Sequence, residues 1–361
     1  MAVDGHDGTG HHGSGRDGSG RNRSLDIAKG IAMVAIVLGH VLRGLSAADL
    51  APRTSEWFLE TDDALYSFHL AVFAVLAGTF LRPGVEKRGM AAYLRPRVTL
   101  LVYLYLLWTV IQGAFKVVVG NLVNSPLPLD RFLRSFATAE GQMWWLAFLA
   151  AVTVAGAVTR PWVSRTRAAL SSLVVAVISL LAWGWTGPWV FMEGISLAAF
   201  FWAGMLLGRR GLEPVTRGSG AALAAGLGLG FGGALLALTD PMPPSSWIGP
   251  RTASAIALGV VTSVALSLGV LGVAGLLRRS ALARPLGFVG QHSLEIFLAH
   301  IIATAGTRIA LDRLGVETLW VQVPAGVAVG VLLPLGLWWV GRRIGFPWLF
   351  ASPVKEPRQD S

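Results

Sequence analysis

The sequence contains no cysteine. Disulfides, thiolate nucleophiles and cysteine-ligated metals are therefore excluded. Charge is scarce as well: 14% of the 361 residues are Asp, Glu, Lys or Arg, against roughly 25% in soluble domains. Carboxylates are the scarcer sign, 20 Asp and Glu against 30 Lys and Arg, for a formal net charge of +10. With 53% hydrophobic residues and a mean hydropathy of +0.60, the chain has too little polar surface to face water on all sides. The alternating segments of roughly ten residues that build a membrane barrel are missing too.

Long apolar runs are present instead. Ten of them occupy approximately 24–44, 64–81, 97–119, 141–158, 169–185, 188–208, 219–239, 253–276, 285–311 and 318–344. Each approaches the roughly 17–25 residues that cross hydrocarbon as a helix, and helices satisfy their own backbone there. The expected fold is an all-α, polytopic integral membrane helix bundle of about ten transmembrane helices. One membrane domain is expected over 24–345, with a disordered cytoplasmic tail at 1–23 and a second cytoplasmic tail at 346–361. His6, His11 and His12 lie in the first tail, where loose spacing gives no fixed metal geometry.

The basic residues orient the bundle. With the amino terminus inside, 21 Lys and Arg fall on the inner side and eight on the outer side or outer helix ends, with Lys29 left inside the first span. This asymmetry predicts cytoplasmic termini. It also accounts for the basic net charge without nucleic acid. The first run with Ser46-Ala47-Ala48 resembles a cleavable signal, but Asp26, Lys29 and His40 within it argue against cleavage.

Ionisable groups in hydrocarbon cost roughly 2.5–3.5 kcal/mol each on insertion scales and mark function. Lys29 and His40 are eleven residues apart, about 1100° of helical rotation, so they share a face about 16 Å apart along the axis. Asp26 lies one turn from Lys29 and Arg43 extends the face outward. Span directions put His40, His69, Gln142, Trp144, Glu193 and His300 in the outer half, and Glu295 deeper. Blander roles exist for several: aromatic belt for Trp144, Trp145 and Trp189, interfacial hydrogen bonding for His69, snorkelling for Lys29. His40 stands among Ile36-Val37-Leu38-Gly39 and Val41-Leu42, and imidazole suits proton transfer near neutral pH.

These segments resemble the acyltransferase 3 family of membrane O-acyltransferases. Arg23 to Ala32 (RSLDIAKGIA) and Leu38-Gly39-His40 resemble its opening, with a basic residue, ten residues and then His. Ser67-Phe68-His69-Leu70 through Ala77-Gly78, Gln142-Met143-Trp144-Trp145-Leu146, Phe200 to Gly208, and Gly290 to His300 (GQHSLEIFLAH) resemble its later motifs, in order. Arg95-Pro96-Arg97 stands where the family often has a wider arginine pair, and Leu70-Ala71 where it has Met-Pro. The likeness is nearest to the fucose 4-O-acetylase-like and polysaccharide O-acetylase branch.

The resemblance implies a bacterial cell-membrane enzyme with no bound cofactor or metal. Acyl-CoA, acetyl-CoA above all, would be the donor, and a sugar, glycan or lipid-linked hydroxyl the acceptor, with membrane lipids around. By resemblance His40 is the general base or a transient acyl carrier, with Lys29 and His69 as catalytic partners. Lys29, Arg95 and Arg97 would attract the CoA phosphates. Gln142, Trp144, Glu193, Glu295 and His300 would hold the acceptor or the oxyanion. A proton-coupled transporter or lipid-glycan flippase would also use intramembrane His, Glu and Lys, although the halves show no internal duplication. A catalytically dead scaffold would not need His40.

Overall fold

The computed structural model describes residues 23–51, 55–120, 127–138, 141–187, 189–216, 220–245 and 249–353. His6, His11 and His12, with the rest of the expected first tail up to residue 22, lie outside the described residues, as does 354–361. Every regular element among the described residues is helical. In chain order these are α1 (Arg23–Ala47), α2 (Glu56–Gly78), α3 (Leu81–Arg88), α4 (Met90–Val119), α5 (Leu129–Arg134), α6 (Trp144–Thr159) and α7 (Arg165–Leu181). They continue as α8 (Ala198–Thr216), α9 (Ala221–Leu236), α10 (Ala253–Leu277), α11 (Ala283–Gln291), α12 (Ser293–Arg313) and α13 (Leu319–Arg343).

Each of the ten predicted runs contains a helix. Seven helical runs are long and apolar enough to cross a bilayer: Arg23–Ala47, Glu56–Arg88, Met90–Val119, Trp144–Val163, Ala253–Leu277, Ser293–Arg313 and Leu319–Arg343. An eighth candidate joins Ile195–Thr216 and Ala221–Leu236 across a 95° bend. The chain is thus an all-α polytopic membrane protein. Ten spans are expected from the sequence: the fifth, at α7, is not among these candidates, and the sixth and seventh qualify only as that bent pair. The sixth and the ninth also differ in shape. The sixth begins late, at a 3₁₀ turn over Ile195–Leu197, because Gly187 and Gly194 weaken helix formation before it. The ninth is broken at His292, which separates α11 from α12.

That break has a packing cause. A Cβ on Gly290 of α11 would run into the Asp26 carbonyl of α1, and one on Gly30 into the Leu286 carbonyl. Backbone therefore meets backbone where α1 and α11 cross, as small residues allow in membranes. The break lets α11 cross α1 closely while α12 runs along α13 and still packs on α1. The same device joins α2 to α8, where Gly78 faces the Phe201 carbonyl and Gly204 the Val75 carbonyl.

Helix α1 is the centre of the bundle. It packs on α2, α10, α11, α12 and α13 and buries 16 of its 25 residues. Being apolar on nearly every side suits it to that place. Helix α13, of equal length, buries only six. Its Trp320, Leu332, Leu333 and Trp339 stay exposed, which is the surface a lipid-facing helix needs. Inside the bundle, Met33, Ile36 and Val37 join Leu70, Ala71, Leu104, Ile296 and Leu298 in one core. Their gain in lipid comes from close packing, since hydrocarbon is itself apolar.

Candidate active site

The site grows from four helix faces. On α1, His40, Arg43, Gly44 and Ala47 recur at intervals of three and four residues, one helical face. Gln112, Phe115 and Lys116 do so on α4, Ile301, Thr304, Ala305 and Arg308 on α12, and Gln322 and Gly326 on α13. Together they line an open cavity of about 250 Å³. His40 is partly accessible from it.

His40 makes no hydrogen bond among the described residues and sits between two rings. The His300 ring lies 5.0 Å away, centroid to centroid, and the Tyr66 ring 6.3 Å away. His69 joins through Tyr66, at 4.7 Å. His300 is fully buried. Its Nδ1 lies 3.0 Å from the Ile296 carbonyl oxygen and 2.8 Å from that of Phe297. Carbonyl oxygens only accept, so Nδ1 carries the hydrogen and donates it. Nε2 is then left as an acceptor, buried and without a hydrogen-bond partner. His40, at the cavity wall, thus stands beside a buried imidazole that is held by its Nδ1 and keeps Nε2 as an acceptor.

Arg43 fastens this end of α1 to α2. Its Nε donates to Asp62 Oδ1 at 2.7 Å and its Nη2 to Asp62 Oδ2 at 2.6 Å. The guanidinium carbon lies 3.3 Å from the Tyr66 ring centroid. A forked pair stacked on an aromatic ring is a rigid use of arginine. Two amides complete the wall. Gln112 Nε2 donates to the Leu298 carbonyl at 2.9 Å and Gln322 Nε2 to the Val316 carbonyl at 2.7 Å.

The other expected residues are dispersed. Lys29 stands at the opposite end of α1, 3.9 Å from Asp26 and 5.1 Å from the centroid of the Phe80 ring. Arg95 and Arg97 are exposed in the first turns of α4, with Arg97 5.4 Å from the Tyr93 ring centroid. Near that end Arg23, Arg278, Arg279 and Arg284 surround a second cleft of about 430 Å³. Glu295, expected mid-span, lies in the first turn of α12 because the helix breaks at His292. There it faces the His292 ring at 3.5 Å.

Gln142, Trp144 and Glu193 do not line the cavity. They are buried elsewhere, with Trp144 packed near Gly194, beside Glu193. Depth placed them level with His40, but α6 packs on α3, α4 and α8, so its side chains meet other partners. Glu193 lies outside the spanning helices, and burial pushes its carboxyl up to about 7, partly opposed by a hydrogen bond from the Gly187 backbone.

Sequence reasoning missed Asp62, Tyr66, Gln112, Lys116, Thr304, Arg308 and Gln322 as site residues. One signal was available for two of them. Asp62, Tyr66 and His69 are spaced four and three apart, a single helical face, and Arg43 is three residues beyond His40.

The comparisons agree with this architecture. A family model described as an acyltransferase domain matches residues 22–339. That is nearly the whole chain, so the protein belongs to the acyltransferase 3 family and is a membrane acyltransferase. No curated protein and no solved structure shows comparable similarity.

Proposed function

We propose that the protein transfers an acetyl group from acetyl-CoA to a hydroxyl of a sugar, glycan or lipid-linked acceptor at the bacterial cell membrane, with His40 as general base. The observation that supports this is an accessible His40 imidazole, unencumbered by hydrogen bonds, at the wall of a four-helix cavity and 5.0 Å from a second imidazole. In the reaction His40 takes the acceptor hydroxyl proton as the oxygen attacks the thioester carbonyl. The carbon–sulfur bond breaks as the ester carbon–oxygen bond forms, and the proton passes on to the departing thiolate, giving free CoA. A positioned base of this kind contributes roughly 10²–10⁴-fold. His300 Nε2 and the Tyr66 edge help to orient the hydroxyl or the His40 ring.

The donor approaches from the end carrying Lys29, Arg95 and Arg97, where cations attract its phosphates. The arginine asymmetry favours that end, and both chain termini, on the cytoplasmic side. The test is direct. Purified protein incubated with radiolabelled acetyl-CoA and a membrane glycan fraction is expected to label the glycan. Glycan mass spectra from cells with and without the protein are expected to differ by one acetyl group. A transport signal with no acetyl transfer would reject the reading.

A further inference from the structure

Four arginines meet at the Lys29 end of the bundle. Arg23 opens α1, Arg278 and Arg279 follow α10, and Arg284 stands in the first turn of α11. With Ser280 and Ala281 they line the second cleft, of about 430 Å³, and no carboxylate lines it. Orientation by positive charge accounts for basic residues at one end of a bundle. It does not account for four of them, from three parts of the chain, around one concavity. Other basic groups at this end have partners: Arg82 pairs with Glu86 at 2.9 Å, Arg97 lies over the Tyr93 ring, and Arg342 and Arg343 over Trp338 and Trp339. The side chains of Arg23, Arg278, Arg279 and Arg284 have no ion pair, hydrogen bond or ring contact among the described residues.

The surface beside the cleft is apolar. Leu276, three residues before Arg279, is exposed, and so is Val273, one turn further into the α10 span. Leu282, in the turn before α11, is exposed as well, as is Phe288, one turn on from Arg284 on the same helical face. Guanidinium forks fit phosphate oxygens in pairs, and leucine and phenylalanine side chains fit acyl chains. A basic pocket between spanning helices, bordered by hydrocarbon-facing surface, suits an anionic lipid headgroup.

A soluble nucleotide such as CoA would bring phosphates without the chains. The cleft is badly placed for a reacting donor. Arg23 is 17 residues from His40, about 25 Å along the axis of α1. Between them α11 crosses α1 with no room for a Cβ on Gly30 or Gly290, so that side of α1 offers no path to the imidazole.

We propose that this cleft seats the phosphate headgroup of an anionic phospholipid from the leaflet at the Lys29 end, with its acyl chains along Leu276, Leu282 and Phe288. The bound headgroup ties the start of α1 to the turn between α10 and α11. The proposal is independent of the acyl-transfer reading.

The test uses the full-length protein purified in a neutral detergent. Dioleoylphosphatidylglycerol or dioleoylphosphatidylcholine is titrated in, and binding is read by native mass spectrometry. One phosphatidylglycerol is expected to bind ahead of phosphatidylcholine and to raise the melting temperature. Arg279→Gln combined with Arg284→Gln should weaken it about 25-fold, roughly fivefold for each arginine. Arg165→Gln combined with Arg167→Gln, at exposed positions opening α7, should leave it unchanged. Equal weakening by both pairs would reduce the effect to diffuse surface charge and overturn the proposal. Equal binding of the two lipids, or displacement of phosphatidylglycerol by equimolar CoA, would overturn it too. Should loss of two arginines disturb insertion, Arg279→Lys with Arg284→Lys keeps the charge. That variant should bind several-fold more weakly than wild type, since ammonium lacks the guanidinium fork; wild-type affinity in it would overturn the assignment.

Discussion

Helix α1 presents two polar ends on one face, and they have opposite fates. At Lys29 the neighbours close in: Asp26 pairs with the ammonium, Phe80 covers it, and α11 crosses so tightly that Gly30 has no room for a methyl. At His40 the helices diverge: a cavity opens beside the imidazole, and a Cβ on Gly44 would meet nothing within 4 Å. The same helical arithmetic relates both positions. What differs is whether neighbouring backbones approach or leave space beside the side chain.

The largest effect should come from the open end. His40→Gln keeps a hydrogen-bonding side chain but cannot take up a proton at neutral pH. Its kcat is expected to fall by roughly 10²–10⁴, with normal amounts of folded protein in the membrane. Near-normal kcat at normal abundance would break the contrast and move the search to His300 or His69.

A pair of alanines measures the packing half of the comparison. Gly30→Ala should destabilise by about 1–3 kcal/mol, the usual cost of overpacking, and lower the melting temperature. Gly44→Ala should be neutral or stabilising, because Ala gains up to about 1 kcal/mol over Gly in a helix. Equal melting temperatures for the two variants would show that the ends of α1 are not differently packed.

Glu193 tests whether sharing the depth of His40 is enough to make a residue part of the site. Its folded carboxyl titrates at about 7, against an ordinary value of 4.5. Between those values the folded state holds the extra proton, so stability falls as pH rises and the full cost is present above pH 7. After allowance for solvent screening that cost is about 1–2 kcal/mol. Glu193→Gln should therefore raise the melting temperature at pH 8 and leave it unchanged near pH 4.5. Acceptor KM should not move; a large rise would return Glu193 to the acceptor site.

The smallest effect is expected from the exposed arginines at the start of α4. Arg95→Ala and Arg97→Ala should each raise the acetyl-CoA KM several-fold, on the order of 1 kcal/mol for solvent-exposed charge contacts. The acceptor KM and kcat should be nearly unchanged. Equal effects on both substrates would remove the distinction between a donor end and an acceptor end.

Much of the site was legible one helix at a time. His40, His69 and His300 were singled out as ionisable groups in apolar runs, and His40 and His300 meet at ring distance. Asp62, Tyr66 and His69 formed a readable face that only the pairing with Arg43 made meaningful. Gln142, Trp144 and Glu193 were expected beside them on depth alone. Depth follows from counting along a span; azimuth depends on which helices pack together, and α6 packs on α3, α4 and α8. The break at His292 was hidden for a related reason. Gly290 and Gly30 are ordinary glycines until α1 and α11 cross at them.

The sequence by itself determined the membrane class, the position of its apolar runs, the charge asymmetry and the face shared by Lys29 and His40. Those properties are local, set by residue polarity and by a helical repeat of about 3.6 residues per turn. Only the tertiary structure decided that Lys116, Arg308 and Gln322 would join His40 and Arg43 around one cavity. They come from α4, α12 and α13, far apart along the chain, and contact between helices depends on side-chain packing and crossing angle. No periodicity within a single helix encodes either.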